Sequence, residues 1–162
     1  DCSVYIQFAV PPGTFVGADQ AELTDLTERY LRTLLEQLRN RLCPYCNSQL
    51  APRVFRRDAP DDEDTPVSSV ALVEYPCTRC DGLVTTDLAT PLLAHPAVVS
   101  FFHERGVDVR EPPIWRFVAF DGERTSVDES DDVAATVRFE ADGDELAVTV
   151  DESCSVHSTE RV

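Results

Sequence analysis

The chain has 162 residues, 43% of them apolar, enough for one packed domain and too apolar for wholesale disorder. No apolar run approaches the ~20 residues of a membrane-spanning helix, and no basic start leads into an apolar stretch as an export signal would, so a cytoplasmic location is expected. Thirty Asp and Glu against fourteen Arg, with no Lys, give a net charge of −16, which disfavours non-specific binding to phosphate backbones.

In chain order, residues 3–10 alternate, with Val4, Ile6, Phe8 and Val10 on one face, the period of a strand. Pro11-Pro12-Gly13 stops it. Asp19 and Glu22 have the spacing of a capping box, and a long helix is expected from there to about Leu42. Leu23, Leu26, Tyr30, Leu34 and Leu38 form its apolar stripe, widened by Leu31, Leu35 and Leu42. Such a stripe packs on its own domain or serves as a seam with a second copy or a partner helix. Strands are expected over Gln49–Arg56 and Val67–Tyr75. They flank Asp58-Ala59-Pro60-Asp61-Asp62-Glu63-Asp64, a charge run that reads as a solvated hairpin tip. A third short strand is expected near Leu83–Thr86. Pro96 fits the first position of a helix over Ala97–Arg105, with Gly106 just past its end. From Ile114 onward, stretches Ile114–Phe120, Arg124–Asp128, Val133–Phe139, Glu145–Val150 and Ser153–Thr159 alternate with polar turns, the pattern of an antiparallel meander over 114–160. The fold class expected is α+β in a single domain over 1–162: a long amphipathic helix, a four-cysteine zinc ribbon over 43–86, short helices and a C-terminal antiparallel meander.

Four of the six cysteines form two C-x-x-C pairs, Cys43/Cys46 and Cys77/Cys80, separated by thirty residues. Two residues between sulfurs let one tight turn aim both thiolates at one ion, and two such turns complete a tetrahedral S4 site suited to Zn2+. Asn47 follows the first pair and Asp81-Gly82 the second. These are residue types that tolerate positive φ, as turns directing N–H groups at sulfur require. Cys43-Pro44-Tyr45-Cys46 also has the form of a glutaredoxin-like redox motif. That chemistry wants its first Cys at a helix N-terminus, whereas Cys43 follows the end of the expected helix and a redox reading leaves the second pair unexplained.

A full set of four Cys leaves no open position for catalysis. With no triad and no phosphate loop in view, no enzymatic activity is expected. Arg53, Arg56 and Arg57 lie on the strand beside the site. They serve either to pair with the acidic loop or to touch nucleic acid; residues 1–57, with seven Arg and six acids, are the less hostile part of the chain for it. Cys154 falls on an expected strand as a core residue. His95 and His103 have no partner at catalytic spacing, and Trp115 reads as a packed anchor. The acidity without Lys suits a halophile's surface, screened at high salt; an acidic protein of an ordinary cytoplasm is the rival. The absence of Met, even at position 1, leads us to expect a piece of a longer chain.

Several stretches resemble the C-terminal region of haloarchaeal ArsR-like winged-helix regulators. They are Phe8-Ala9-Val10-Pro11-Pro12-Gly13, the helix running into Cys43-Pro44-Tyr45-Cys46, Cys77-Thr78-Arg79-Cys80, His95-Pro96-Ala97-Val98-Val99-Ser100-Phe101-Phe102, Arg105-Gly106-Val107-Asp108 and Pro113-Ile114-Trp115. The resemblance implies a role in transcription regulation, with DNA contacted through a separate domain outside this sequence. This part would be the effector or dimerisation half, partnered by itself or by the regulator's own DNA-binding domain, with an unknown small-molecule effector. It also implies that Cys2 is the last ligand of a second ribbon whose other ligands lie upstream.

Overall fold

Helix α1 spans Leu23–Arg39, 17 residues, and is entered through a reciprocal cap. The N–H groups of Ala21 and Glu22 donate to Asp19 Oδ1, and the Asp19 N–H donates back to Glu22 Oε2 at 3.0 Å. The computed structural model describes residues 9–58, 69–111, 113–114, 125–126 and 135–162. Residues 3–8 of the expected strand, Cys2, residues 59–64 of the acidic loop, Val133, and residues 115–120 with Trp115 lie outside them, while Ala9 and Val10 are described and are not in a strand.

The helix stops three residues short of Leu42. Arg41 turns left-handed at φ 56°, so its N–H donates to Leu38 O and that of Leu42 to Gln37 O. This pair of bonds closes a helix end, usually with Gly at the left-handed position; here Arg occupies it. Leu31, Leu34 and Leu38 on the inner face are buried, so the centre of the Leu stripe belongs to the domain's own core.

Strands β1 (Arg53–Asp58), β2 (Ser69–Pro76) and β3 (Leu83–Asp87) form an antiparallel sheet in that order. Val73, Tyr75 and Val84 face the core and are buried. Two short helices follow, α2 (Ala89–Leu92) and α3 (Pro96–His103). Asp87, buried at the end of β3, accepts from the Thr90 N–H and hydroxyl and so starts α2. Burial pushes its carboxyl up, against the pull of those bonds. Pro96 opens α3, His95 Nδ1 accepts from the Ala97 N–H at 3.3 Å, and Gly106 takes φ 73° just beyond the helix.

The second sheet runs β4 (Thr125–Ser126), β5 (Ala135–Ala141), β6 (Asp144–Val150), β7 (Val156–Arg161), each antiparallel to its neighbour. Of the first two expected strands of this region, the described residues place Thr125–Ser126 in β4. Asp142 and Gly143, both at positive φ, make the two-residue turn between β5 and β6. Ala135, Val137, Phe139, Leu146, Val148 and Val150 bury one face, continuous with the core of α1 and the first sheet. Phe102 of α3 meets Phe139 edge to face at 6.2 Å. The Arg105 guanidinium lies 3.9 Å over the Phe101 ring and pairs with Asp144 at 2.6 Å.

Cys154 does not lie on a strand. It takes φ 59° in a turn over 151–155, in which Asp151 Oδ1 accepts from the N–H groups of Ser153 and Ser155. The turn reaches back to the first sheet: the Val54 N–H donates to Glu152 O at 2.8 Å.

Candidate metal centre

The first C-x-x-C is the tip of a tight hairpin. Leu42 bridges Gln49, the Cys43 N–H donates to Ser48 O, and the Asn47 N–H donates to Cys43 O. Asn47 closes the loop at φ 56°. The second pair turns between β2 and β3, closed by the Cys77 N–H donating to Gly82 O at 2.9 Å. The two tips are stitched together by backbone: Leu50 bridges Cys77, the Ala51 N–H donates to Pro76 O, and the Thr78 N–H and hydroxyl both donate to Gln49 O.

This stitching brings all four sulfurs within 4.8 Å of one another. Cys43 and Cys80 stand 3.7 Å apart and Cys46 and Cys77 3.5 Å, too far for a ~2.05 Å disulfide bond. A tetrahedral ion with metal–sulfur bonds of about 2.3 Å sets its sulfurs about 3.8 Å apart. The donor set therefore fits a thiophilic metal ion. Cys43 is fully buried and the other three are half-buried.

The thiols do not share charge evenly. The N–H groups of Cys80 and Arg79 aim at Cys77 Sγ, at 3.4 and 3.3 Å, and draw that thiol down to about 6. Cys80 receives the Gly82 N–H, which favours its thiolate, but the crowding sulfurs of Cys77, Cys46 and Cys43 prevail and push it up to about 12. Four thiolates at this separation coexist only around a cation, so loading the centre releases protons.

Gly82 is at this tip for a reason other than the expected positive φ, which neither it nor Asp81 adopts. A Cβ on Gly82 would lie 2.5 Å from Tyr45 Cδ2 and 3.2 Å from Cys80 Sγ. The ring of the first tip lies flush on the backbone of the second. Spacing of cysteines cannot reveal that contact.

Arg53 pairs with Glu74, its direct neighbour across β1 and β2, at 2.5 Å. Among the described residues its partner is this strand residue. Arg56 and Arg57 face Ala71 and Val70 in backbone register; their side chains lie outside the described residues. His95 caps α3, and Cys154 bonds with Tyr75 beneath the first sheet. Among the described residues no helix is long and apolar enough to cross a membrane.

Fold and site together define a small α+β protein organised around two cysteine-tipped hairpins that can share one metal ion. The chain belongs to the family described as a domain of unknown function, DUF7351, whose model matches residues 1–156. No curated protein and no solved structure matches it.

Proposed function

We propose that this chain is the regulatory half of an ArsR-like winged-helix transcription factor from a halophilic archaeon, with Cys43, Cys46, Cys77 and Cys80 holding a structural Zn2+. The observation that carries the metal part is the approach of the four sulfurs to within 4.8 Å. The bound ion supplies a cross-link between the hairpin at the end of α1 and the hairpin joining β2 to β3. The chain's own contribution is the left-handed helix end, the backbone stitching and the N–H groups aimed at Cys77. Four cysteines complete a tetrahedron and leave no position for substrate, which supports a non-enzymatic role. The regulator part rests on the motif resemblance, above all the stretch 95–108.

Two other classes fare less well. A thiol oxidoreductase needs a thiolate at a positive helix end, and Cys43 follows the negative end of α1. A nucleic-acid-binding ribbon needs cations to spare, and Arg53 is paired with Glu74. Self-association is part of the proposal, because two-fold regulators read two half-sites. The β7 edge, exposed along most of its length, offers a surface for it.

Elemental analysis and Co2+ substitution test the metal. One ion per chain with the charge-transfer bands of tetrahedral thiolate coordination is expected, and thiols that alkylate freely with no bound metal would remove the zinc reading. Sedimentation in multimolar KCl tests the dimer, and a strictly monomeric species removes it. A pull-down of genomic fragments by the native protein carrying this domain tests the regulator role; no enrichment over a domain-deleted form overturns it.

A further inference from the structure

A cleft of about 300 Å3 opens where four stretches meet: the C-terminal end of α1, the start of the first sheet, the turn between α2 and α3, and the 151–155 turn. None of the four clustered cysteines lines it, and nothing in the proposed function uses it.

Its charge is unlike that of the rest of the molecule. Thirty of 162 residues are acidic, yet among the described residues none that lines the cleft is Asp or Glu, while Arg39, Arg41 and His95 do. Arg39 pairs with Glu36 at 2.8 Å. Arg41 instead donates to neutral oxygens, Ser155 Oγ at 2.7 Å and Ser153 Oγ at 3.4 Å. Asp151 stands behind these serines and holds them. Burial opposes its ionisation, but the Ser155 N–H, the Ser153 hydroxyl and N–H, and the Arg41 charge keep its carboxyl below the usual range. The remaining polar wall is the Tyr75 hydroxyl and the Cys154 thiol. Arg41 is the guanidinium that an anion entering the cleft would meet, although its charge is also felt by Asp151.

The backbone points to the same place. Four described residues other than Gly have positive φ, and two of them, Arg41 and Cys154, line this cleft. Strain of this kind clusters at functional sites. The lining also has an apolar part, which includes Pro52, Leu92 and Val156. The volume is at the small end of ligand pockets.

We infer that this cleft binds a small organic carboxylate, its charge on Arg41 and the Ser155 hydroxyl and an apolar body of aromatic-ring size between Pro52, Leu92 and Val156. The inference does not rest on the regulator reading, and it holds or fails whether or not the chain acts in transcription.

Calorimetric titration of the metal-loaded chain with benzoate tests it, alongside the neutral isostere benzamide and inorganic phosphate at one fixed salt concentration. Saturable one-site binding of benzoate is expected, at least tenfold tighter than either comparison. Arg41→Gly is the decisive variant, because Gly is favoured at the left-handed position and the fold is retained. It should keep the parent's circular dichroism spectrum and bind benzoate at least tenfold more weakly. Arg41→Gln, keeping the length without the charge, should show the same loss. The inference is overturned if benzoate does not saturate, if benzamide or phosphate binds as tightly, or if both Arg41 variants bind benzoate like the parent.

Discussion

The cysteine tips and the β5–β6 hairpin are both tight antiparallel turns, yet different forces hold them. In the β5–β6 hairpin each strand alternates, and Val137, Phe139, Leu146, Val148 and Val150 are buried on one face. Asp142-Gly143 needs only its backbone to reverse the chain. At the cysteine tips the apolar side chains point the other way: Leu42, Tyr45 and Leu83 are exposed. What is brought inside is sulfur. A hairpin that buries hydrocarbon closes by itself, at about 1.5–3 kcal/mol for each large side chain. A hairpin that gathers thiols closes on a cation.

Removing the metal breaks that contrast hardest. Apparent binding free energies of structural zinc run to ~10–16 kcal/mol. Chelation, or Cys43→Ser at the buried ligand, should release the amides of Leu50, Cys77 and Thr78 to hydrogen exchange while those of Val137 and Val148 keep their protection. Simultaneous loss at both places would show that the two regions form one cooperative unit.

The converse test is Phe101→Ala. Phe101 is fully buried on α3, and truncation should cost about 3–5 kcal/mol in denaturant unfolding. The metal stoichiometry should stay as in the parent.

Gly82→Ala is smaller and sharper. The new methyl must move the Tyr45 ring, a strain of about 1–3 kcal/mol, seen as faster metal loss to a competing chelator. Combining it with Tyr45→Ala should recover part of the loss, because the clash needs both partners.

The smallest effect concerns the ion pair joining the end of α3 to β7. The Arg161 guanidinium, 2.8 Å from Glu104, is the main cause holding that carboxyl down at about 2, with the Ser100 hydroxyl assisting. The folded value is depressed, so the contribution is present above the ordinary carboxylate range near ~4.3. It fades as pH falls from there towards 2. Carboxyl carbon shifts should show Glu104 titrating near 2 in the parent and moved up towards the ordinary range in Arg161→Gln, with Ser100 still holding part of the depression.

The cysteine tetrad was legible in the sequence because its information is local: two residues between sulfurs set each turn, and thiol chemistry narrows the occupant. The Asp19–Glu22 cap, Pro96 at the start of α3 and Gly106 beyond it were legible for the same reason. Contacts between distant segments were not. Gly82 answers to a ring 37 positions earlier. Arg53 answers to Glu74 through a strand register that no spacing announces. The helix stops at Arg39 although no Gly marks the stop, because the strand segment after Leu42 pulls the chain into a hairpin. Cys154 alternates like a strand residue but sits in a turn that Asp151 organises. The cleft draws on residues 38, 39, 41, 52, 75, 91, 92, 94–96 and 153–156, and no single stretch carries its signature.

The thirty residues between the two cysteine pairs would, as free coil, cost about 3 kcal/mol of closure entropy before the sulfurs could meet. The chain has already folded much of that distance away. Six paired positions from Arg53↔Glu74 to Asp58↔Ser69 zip β1 to β2, which leaves only the two tips for an ion to draw together. An incoming ion therefore meets a basket, not a lasso, and its capture should be limited by dehydration and proton release and not by the search of the polypeptide.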